Sequence, residues 1–188
     1  QYCQIKNIKD VALEDIYTGN GVSELINMVT QGLIDDGDEI LVPSPDYPLW
    51  TGCVTLAGGK AVHYICDEQA DWYPDIEDMR SKITDKTKAI IMSFPNNPTG
   101  AIMTKRDLEP IADFAKEHDL LVISDEIYSE LTYGHRHVSI GALPDMKERT
   151  IVINGFSKAF AMTGWRLGYA AAPKVFMEQM VKIHQYGI

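Results

Sequence analysis

Residues Lys88–Gly100 read KAIIMSFPNNPTG. The run Ala89–Met92 lacks the apolar/polar alternation of a half-exposed strand, so it belongs to a strand covered on both faces, the habit of parallel sheets. The next residues are rigid: prolines, Asn96, Asn97 and Gly100 form a loop at the strand's carboxyl end, where ligands bind in parallel-sheet proteins. A turn with no further role is the alternative. Outward from here the pattern repeats. Leu120–Ile123, LLVI, is a second doubly buried strand running into SDEIY, which puts Asp125 at the inner end of a buried strand. A buried carboxylate needs a cation or an N–H donor opposite it, and Tyr128 faces the same place if the exit curls into a turn.

Further strands are expected at Asp38–Val42, Lys60–Cys66, Ile151–Ile153 and Arg166–Ala172. Helical spacing of apolar residues occurs from Val22 to a stop at Gly37, then over Thr51–Leu56, Asp75–Ile83, Leu108–Asp119 and Val175–Tyr186. Strands alternating with helices predict one α/β domain, with a mostly parallel central sheet and helices on both faces. Between two of these elements, Pro43, Pro45 and Pro48 hold an irregular loop that presents Tyr47 and Trp50, either as packing or as a stacking platform for a flat ligand.

Composition narrows the function. With 27 acidic and 17 basic residues the formal charge is -10, which repels phosphate backbones and argues against a nucleic-acid partner. No window approaches the roughly 18 apolar residues of a membrane span, and the residues from Gln1 do not read as a basic, apolar leader, so no secretory signal is expected. Cys3, Cys53 and Cys66 lack metal-ligand spacing and read as reduced, buried side chains of a cytoplasmic protein. No metal is expected; His135 and His137, in GHRHVS, have no second cluster to complete a site and read as solvated loop. In so acidic a chain an anion site must be a local concentration of donors. Two are candidates. The GNG turn of Asn20 and Gly21 opens a helix at Val22, whose free amides and dipole suit a phosphate, although a plain strand-to-helix turn reads equally well. The other is NGFSKAFAMTGWRLGY, residues 154–169, with Ser157, Lys158 and Arg166 among glycines. Lys158 is either one more surface lysine or a covalent anchor. Amides and a guanidinium, carboxylate, phenol, carboxamide, aromatic ring and lysine amine together match the needs of pyridoxal phosphate.

The motifs YTGNGVSELI, SPDYPLW, FPNNPTG, SDEIY and SKAFAMTGWRLGY, in this order, resemble the class I/II aminotransferases of the fold type I pyridoxal-phosphate enzymes. The resemblance spans nearly the whole chain. It implies pyridoxal 5'-phosphate as cofactor, with Lys158 as the Schiff-base lysine and Asp125 at the ring nitrogen. Tyr128 and Asn97 would meet the ring's phenolic oxygen and Tyr47 would stack on the ring. Ser157, Arg166 and the Asn20–Gly21–Val22 turn would hold the phosphate. Substrates would be an amino acid and a 2-oxo acid, and GNGVSELI, PDYPLWT and GKAVHYICDE resemble the alanine (glutamate-pyruvate) branch. Many relatives carry a hydroxyl where this chain has Gly155. Family members also run to roughly twice this length, so residues 1–188 correspond to the large cofactor-binding domain. The N-terminal segment and the small domain, with its arginine for the substrate carboxylate, lie outside, and a homodimer is implied for the full-length protein. A β-lyase or decarboxylase on the same scaffold, and a non-catalytic effector-binding module, are the other readings.

Overall fold

The computed structural model describes residues 1–187. Its centre is an eight-stranded sheet in the order β1-β8-β7-β6-β5-β2-β3-β4. The strands are β1 (Ile16–Gly19), β2 (Glu39–Ser44), β3 (Lys60–Asp67), β4 (Tyr73–Pro74), β5 (Thr87–Ser93), β6 (Leu121–Asp125), β7 (Thr150–Gly155) and β8 (Gly168–Ala171). Helices α1 (Tyr2–Ile5), α2 (Val22–Leu33), α3 (Leu49–Leu56), α4 (Ile76–Lys82), α5 (Lys105–Glu117) and α6 (Lys174–Gly187) complete the layers.

Five strands, β7-β6-β5-β2-β3, run parallel. Their residues alternate sides, yet both sides are apolar. Ile40, Val42, Ala89, Ile91 and Ile123 join Leu25, Ile26, Val29, Trp50 and Met180 from α2, α3 and α6. Leu41, Ile90, Met92 and Val122 join Met79, Leu108, Ile111 and Phe114 from α4 and α5 on the other side. That is why KAIIMS and LLVI carry no alternation in sequence.

The edges are antiparallel: β8 pairs with β7 and β1 with β8. Strand β1 therefore runs in the direction of the parallel set, and its end at Gly19, the start of β8 and the carboxyl ends of β5, β6 and β7 share one border of the sheet. Several expectations shift. The helix after GNG ends at Leu33, with Ile34 already extended, instead of reaching Gly37. The last strand begins at Gly168, because Arg166 takes a left-handed conformation (φ 50°) that no strand accommodates. Trp50 is not presented by the proline loop but sits in α3, wholly buried in the core. His137 is not solvated: its side chain is 7% exposed and lies 3.2 Å from Glu126.

Candidate functional site

At the shared border a crevice of about 310 Å³ is lined by Val22, Ser23, Tyr47, Ser93, Asn97 and Asp125, and by Ile127, Tyr128, Ser157, Lys158, Thr163 and Arg166. Eight of the ten residues expected from the sequence are therefore brought together. Asn20 and Gly21 are not on the lining. Asn20 turns to Glu24, giving its backbone N–H to Oε2 at 2.5 Å and its Nδ2 to Oε1 at 3.1 Å. The Gly21 N–H donates to Gly19 O at 2.8 Å. The amides left at the start of α2 belong to Val22 and Ser23, the first turn of a helix, where N–H groups lack intrahelical partners.

Gly21 contributes differently. It has φ +82°, and a Cβ there would lie 2.8 Å from Arg166 Nη2. Only glycine lets the guanidinium approach the turn so closely. Gly168 supports the turn from behind, since a Cβ at that position would meet Gly21 C at 2.9 Å and Val22 N at 3.0 Å. Arg166 is itself held in the left-handed region, and Ala161 in the same loop has φ 52°. Two such residues in one short loop cost roughly 1–2 kcal/mol each, and the bonds closing the loop offset this. Phe156 N–H donates to Leu167 O at 3.1 Å, Thr163 Oγ1 to Ser157 O at 3.1 Å, and Arg166 Nη1 to Thr163 O at 3.2 Å. Among the described residues Arg166 forms no ion pair, so its charge is directed at the crevice.

The other end of the crevice is built on β6. Asp125 is buried and accepts the Ile127 N–H at 3.1 Å. Burial pushes its carboxyl up to about 6, against which the Ile127 N–H works, while the charge of Glu126 pushes further up. The indole of Trp50 also favours the charged form, although its buried Nε1 is not aligned for a hydrogen bond. A carboxylate so short of donors suits a cationic or N–H-bearing ligand. Lys158 Nζ sits 5.5 Å from the centre of the Tyr128 ring. The two asparagines divide their work. Asn96 is buried and organises its own loop, with Oδ1 accepting from Thr99 N at 3.1 Å and Thr99 Oγ1 at 2.9 Å, whereas Asn97 faces the crevice.

Ser93, Ser23, Ile127 and Thr163 also line the crevice and are not among the residues singled out from sequence. Ser93 had a usable signal, as the last residue of a doubly buried strand at its carboxyl end. The others sit within the motifs YTGNGVSELI, SDEIY and SKAFAMTGWRLGY, and their position there is the available signal. Gly155 is tight: a Cβ there would be 3.1 Å from Leu167 O and 3.2 Å from Ile127 Cδ1. A hydroxyl-bearing residue at that position would press on both neighbours.

A family model for aminotransferase class I and II matches residues 2–188. The chain belongs to the class I and II aminotransferase family. Over 171 residues it is 52% identical to the glutamate-pyruvate aminotransferase AlaA of Haemophilus influenzae, covering 90% of this chain and 42% of that protein. Over 161 residues it is 50% identical to the alanine aminotransferase of Mycobacterium tuberculosis, covering 85% of this chain and 37% of that one. Its fold superposes on the aromatic aminotransferase of Pyrococcus horikoshii with a TM-score of 0.94 and 44% identity, over 98% of this chain and 50% of that one. The chain thus spans less than half the length of the curated relatives it matches. Class I and II aminotransferases use pyridoxal phosphate, and the donor set here fits that group: an anion end at Arg166, Val22 and Ser23, a buried acceptor at Asp125, and an amine between them.

Proposed function

We propose that residues 1–188 form the pyridoxal 5'-phosphate-binding large domain of an aminotransferase. It moves an amino group between a small L-amino acid, of the alanine/glutamate type, and a 2-oxo acid. The observation that carries this reading is the meeting of Lys158, Asp125, Tyr128, Asn97 and Arg166 on one crevice from four separate strand ends. When bound, the cofactor supplies an aldehyde that takes up an amine and a ring that accepts the electron pair left at a deprotonated Cα.

The chain's own residues do the rest. Lys158 would hold the aldehyde end, and its amine would be the base that moves the proton from Cα. Asp125, ionised, keeps a proton on the ring nitrogen. Tyr128 and Asn97 orient the phenolic oxygen, and Tyr47 covers a ring face. Arg166, Ser157, Thr163 and the Val22 and Ser23 amides hold the phosphate. The preference for alanine and glutamate is supported by the names of the relatives.

Assayed in the full-length protein with pyridoxal phosphate, L-glutamate and pyruvate, 2-oxoglutarate and alanine should form without ammonia. Ammonia release would instead assign a lyase, and Lys158→Ala should abolish turnover. The reading includes a homodimer, which a monomeric mass by light scattering would remove. It also includes a cytoplasmic location, consistent with three free, buried thiols and open to test by cell fractionation.

A further inference from the structure

The segment Tyr2–Lys6 touches the connection after Asp125 at three places. Tyr2 OH donates to Glu126 Oε2 at 2.5 Å, Lys6 Nζ pairs with Glu130 Oε1 at 2.8 Å, and Arg136 Nη2 donates to the carbonyl of Ile5 at 3.3 Å. Two of these contacts use buried groups, since the Glu126 side chain is 1% exposed and that of Lys6 4%. A pair in which the charged partner is desolvated holds position far more firmly than an exposed ion pair.

Other contacts hold the connection at its inner end, where the Glu126 N–H donates to Ile153 O at 2.8 Å and His137 lies 3.2 Å from Glu126. Residues 126–139 contain no strand or helix, and Tyr128 projects from them into the crevice. Ser129 N–H and Leu131 N–H close two turns on the carbonyls of Glu126 and Tyr128, and Asn154 Nδ2 reaches Ser129 Oγ at 3.2 Å. Glu126 is the inner anchor: it also accepts from Ser124 Oγ at 3.0 Å and Ser139 Oγ at 2.6 Å. The Tyr2 ring, with Lys6 Nζ 5.5 Å from its centre, stands edge-on to Tyr169, and Tyr169 packs on Phe156 beside the Lys158 loop.

We propose that Tyr2 and Lys6 are positioning residues of the crevice, latching the Glu126–Arg136 connection so that Tyr128 and Asp125 face the cofactor ring together. Neither residue lines the crevice, so they act through their neighbours, chiefly Glu126 and Glu130. The inference rests on the crevice being the pyridoxal phosphate site, and it concerns the ring end alone.

The test uses three probes on the wild type and the Tyr2→Phe and Lys6→Met variants: pyridoxal phosphate, pyridoxal, and inorganic phosphate as competitor. Both variants should weaken pyridoxal and pyridoxal phosphate by a similar factor, up to roughly tenfold, and leave phosphate competition unchanged. A purely structural role would lower the melting temperature without that split. Lys6→Glu should show the same loss, and the Lys6→Glu/Glu130→Lys pair should recover it, which covers the case of a poorly folding single variant. Wild-type affinities in the folded variants, or equal losses for all three probes, would overturn the latch. A wild type that binds none of the probes would instead bring down the reading of the crevice itself, and the latch with it.

Discussion

Asp125 and Glu126 are consecutive and both buried, yet they face different surroundings and their carboxyls shift in opposite directions. Asp125 ends β6 facing the crevice with one backbone donor and a carboxyl raised to about 6. Glu126 faces away. Burial pushes its carboxyl up as well, but His137, Ser139 and Tyr2 outweigh burial and leave it below the ordinary value. One fold therefore keeps side by side a carboxylate met by several side-chain donors and one met by a single backbone N–H. The first ties segments of the chain together, and on the function proposed above the second is the group that meets the cofactor ring.

The widest separation between the two should come from deletion in the unliganded protein. Glu126→Ala strands His137, Tyr2 and two serines in the core and should cost about 3–5 kcal/mol in chemical denaturation. Asp125→Asn relieves a buried charge, so it should leave stability unchanged or raised while cofactor binding is lost. Equal losses from both would erase the distinction.

The pH dependence has opposite signs for the two groups. Asp125 binds its proton more tightly folded than unfolded, so its contribution is greatest at low pH. It falls by about 3 kcal/mol as pH rises from the ordinary 3.8 to about 6. Glu126, held below 4.5, contributes stability above that value and loses it as pH falls through its lowered pKa. Denaturation curves taken across pH 4 to 6 (roughly the window between Asp125's two values) should therefore slope downward in the wild type and lie flatter in Asp125→Asn. Saturating pyridoxal phosphate should flatten the wild-type slope as well, by giving Asp125 its partner. A slope unaffected by the substitution would assign the titration elsewhere.

A smaller effect is expected at the asparagines, which repeat the contrast in neutral form. Asn96→Ala should cost about 1–2 kcal/mol of stability and leave affinity for pyridoxal phosphate within error. Asn97→Ala should do the reverse. Interchanged outcomes would reassign which carboxamide serves the loop and which the site.

Much of this architecture is legible in the chain. KAIIMS and LLVI are apolar on both faces because helices cover both faces, so a parallel sheet follows from their lack of alternation. The residues at their carboxyl ends then have to meet. The direction of the edge strands is not legible, since β1, β4 and β8 are too short for periodicity to speak and pairing is set by tertiary contacts. Trp50 and His137 mislead for one reason. A proline-rich neighbourhood and a polar run GHRHVS both suggest exposure, and only the fold reveals that Trp50 closes the core and that His137 packs 3.2 Å from Glu126. The turn at Gly21 is recognisable in sequence, but not that its own N–H is used internally, which moves the free amides to Val22 and Ser23.

The central claim is that Lys158 is the amine of this crevice. Incubation with pyridoxal phosphate, borohydride reduction and peptide mapping tests it directly. Stoichiometric labelling confined to Lys158, abolished in Lys158→Ala and strongly reduced in Asp125→Asn, is the outcome expected. Labelling spread over exposed lysines, or unchanged when Asp125 is replaced, would contradict it.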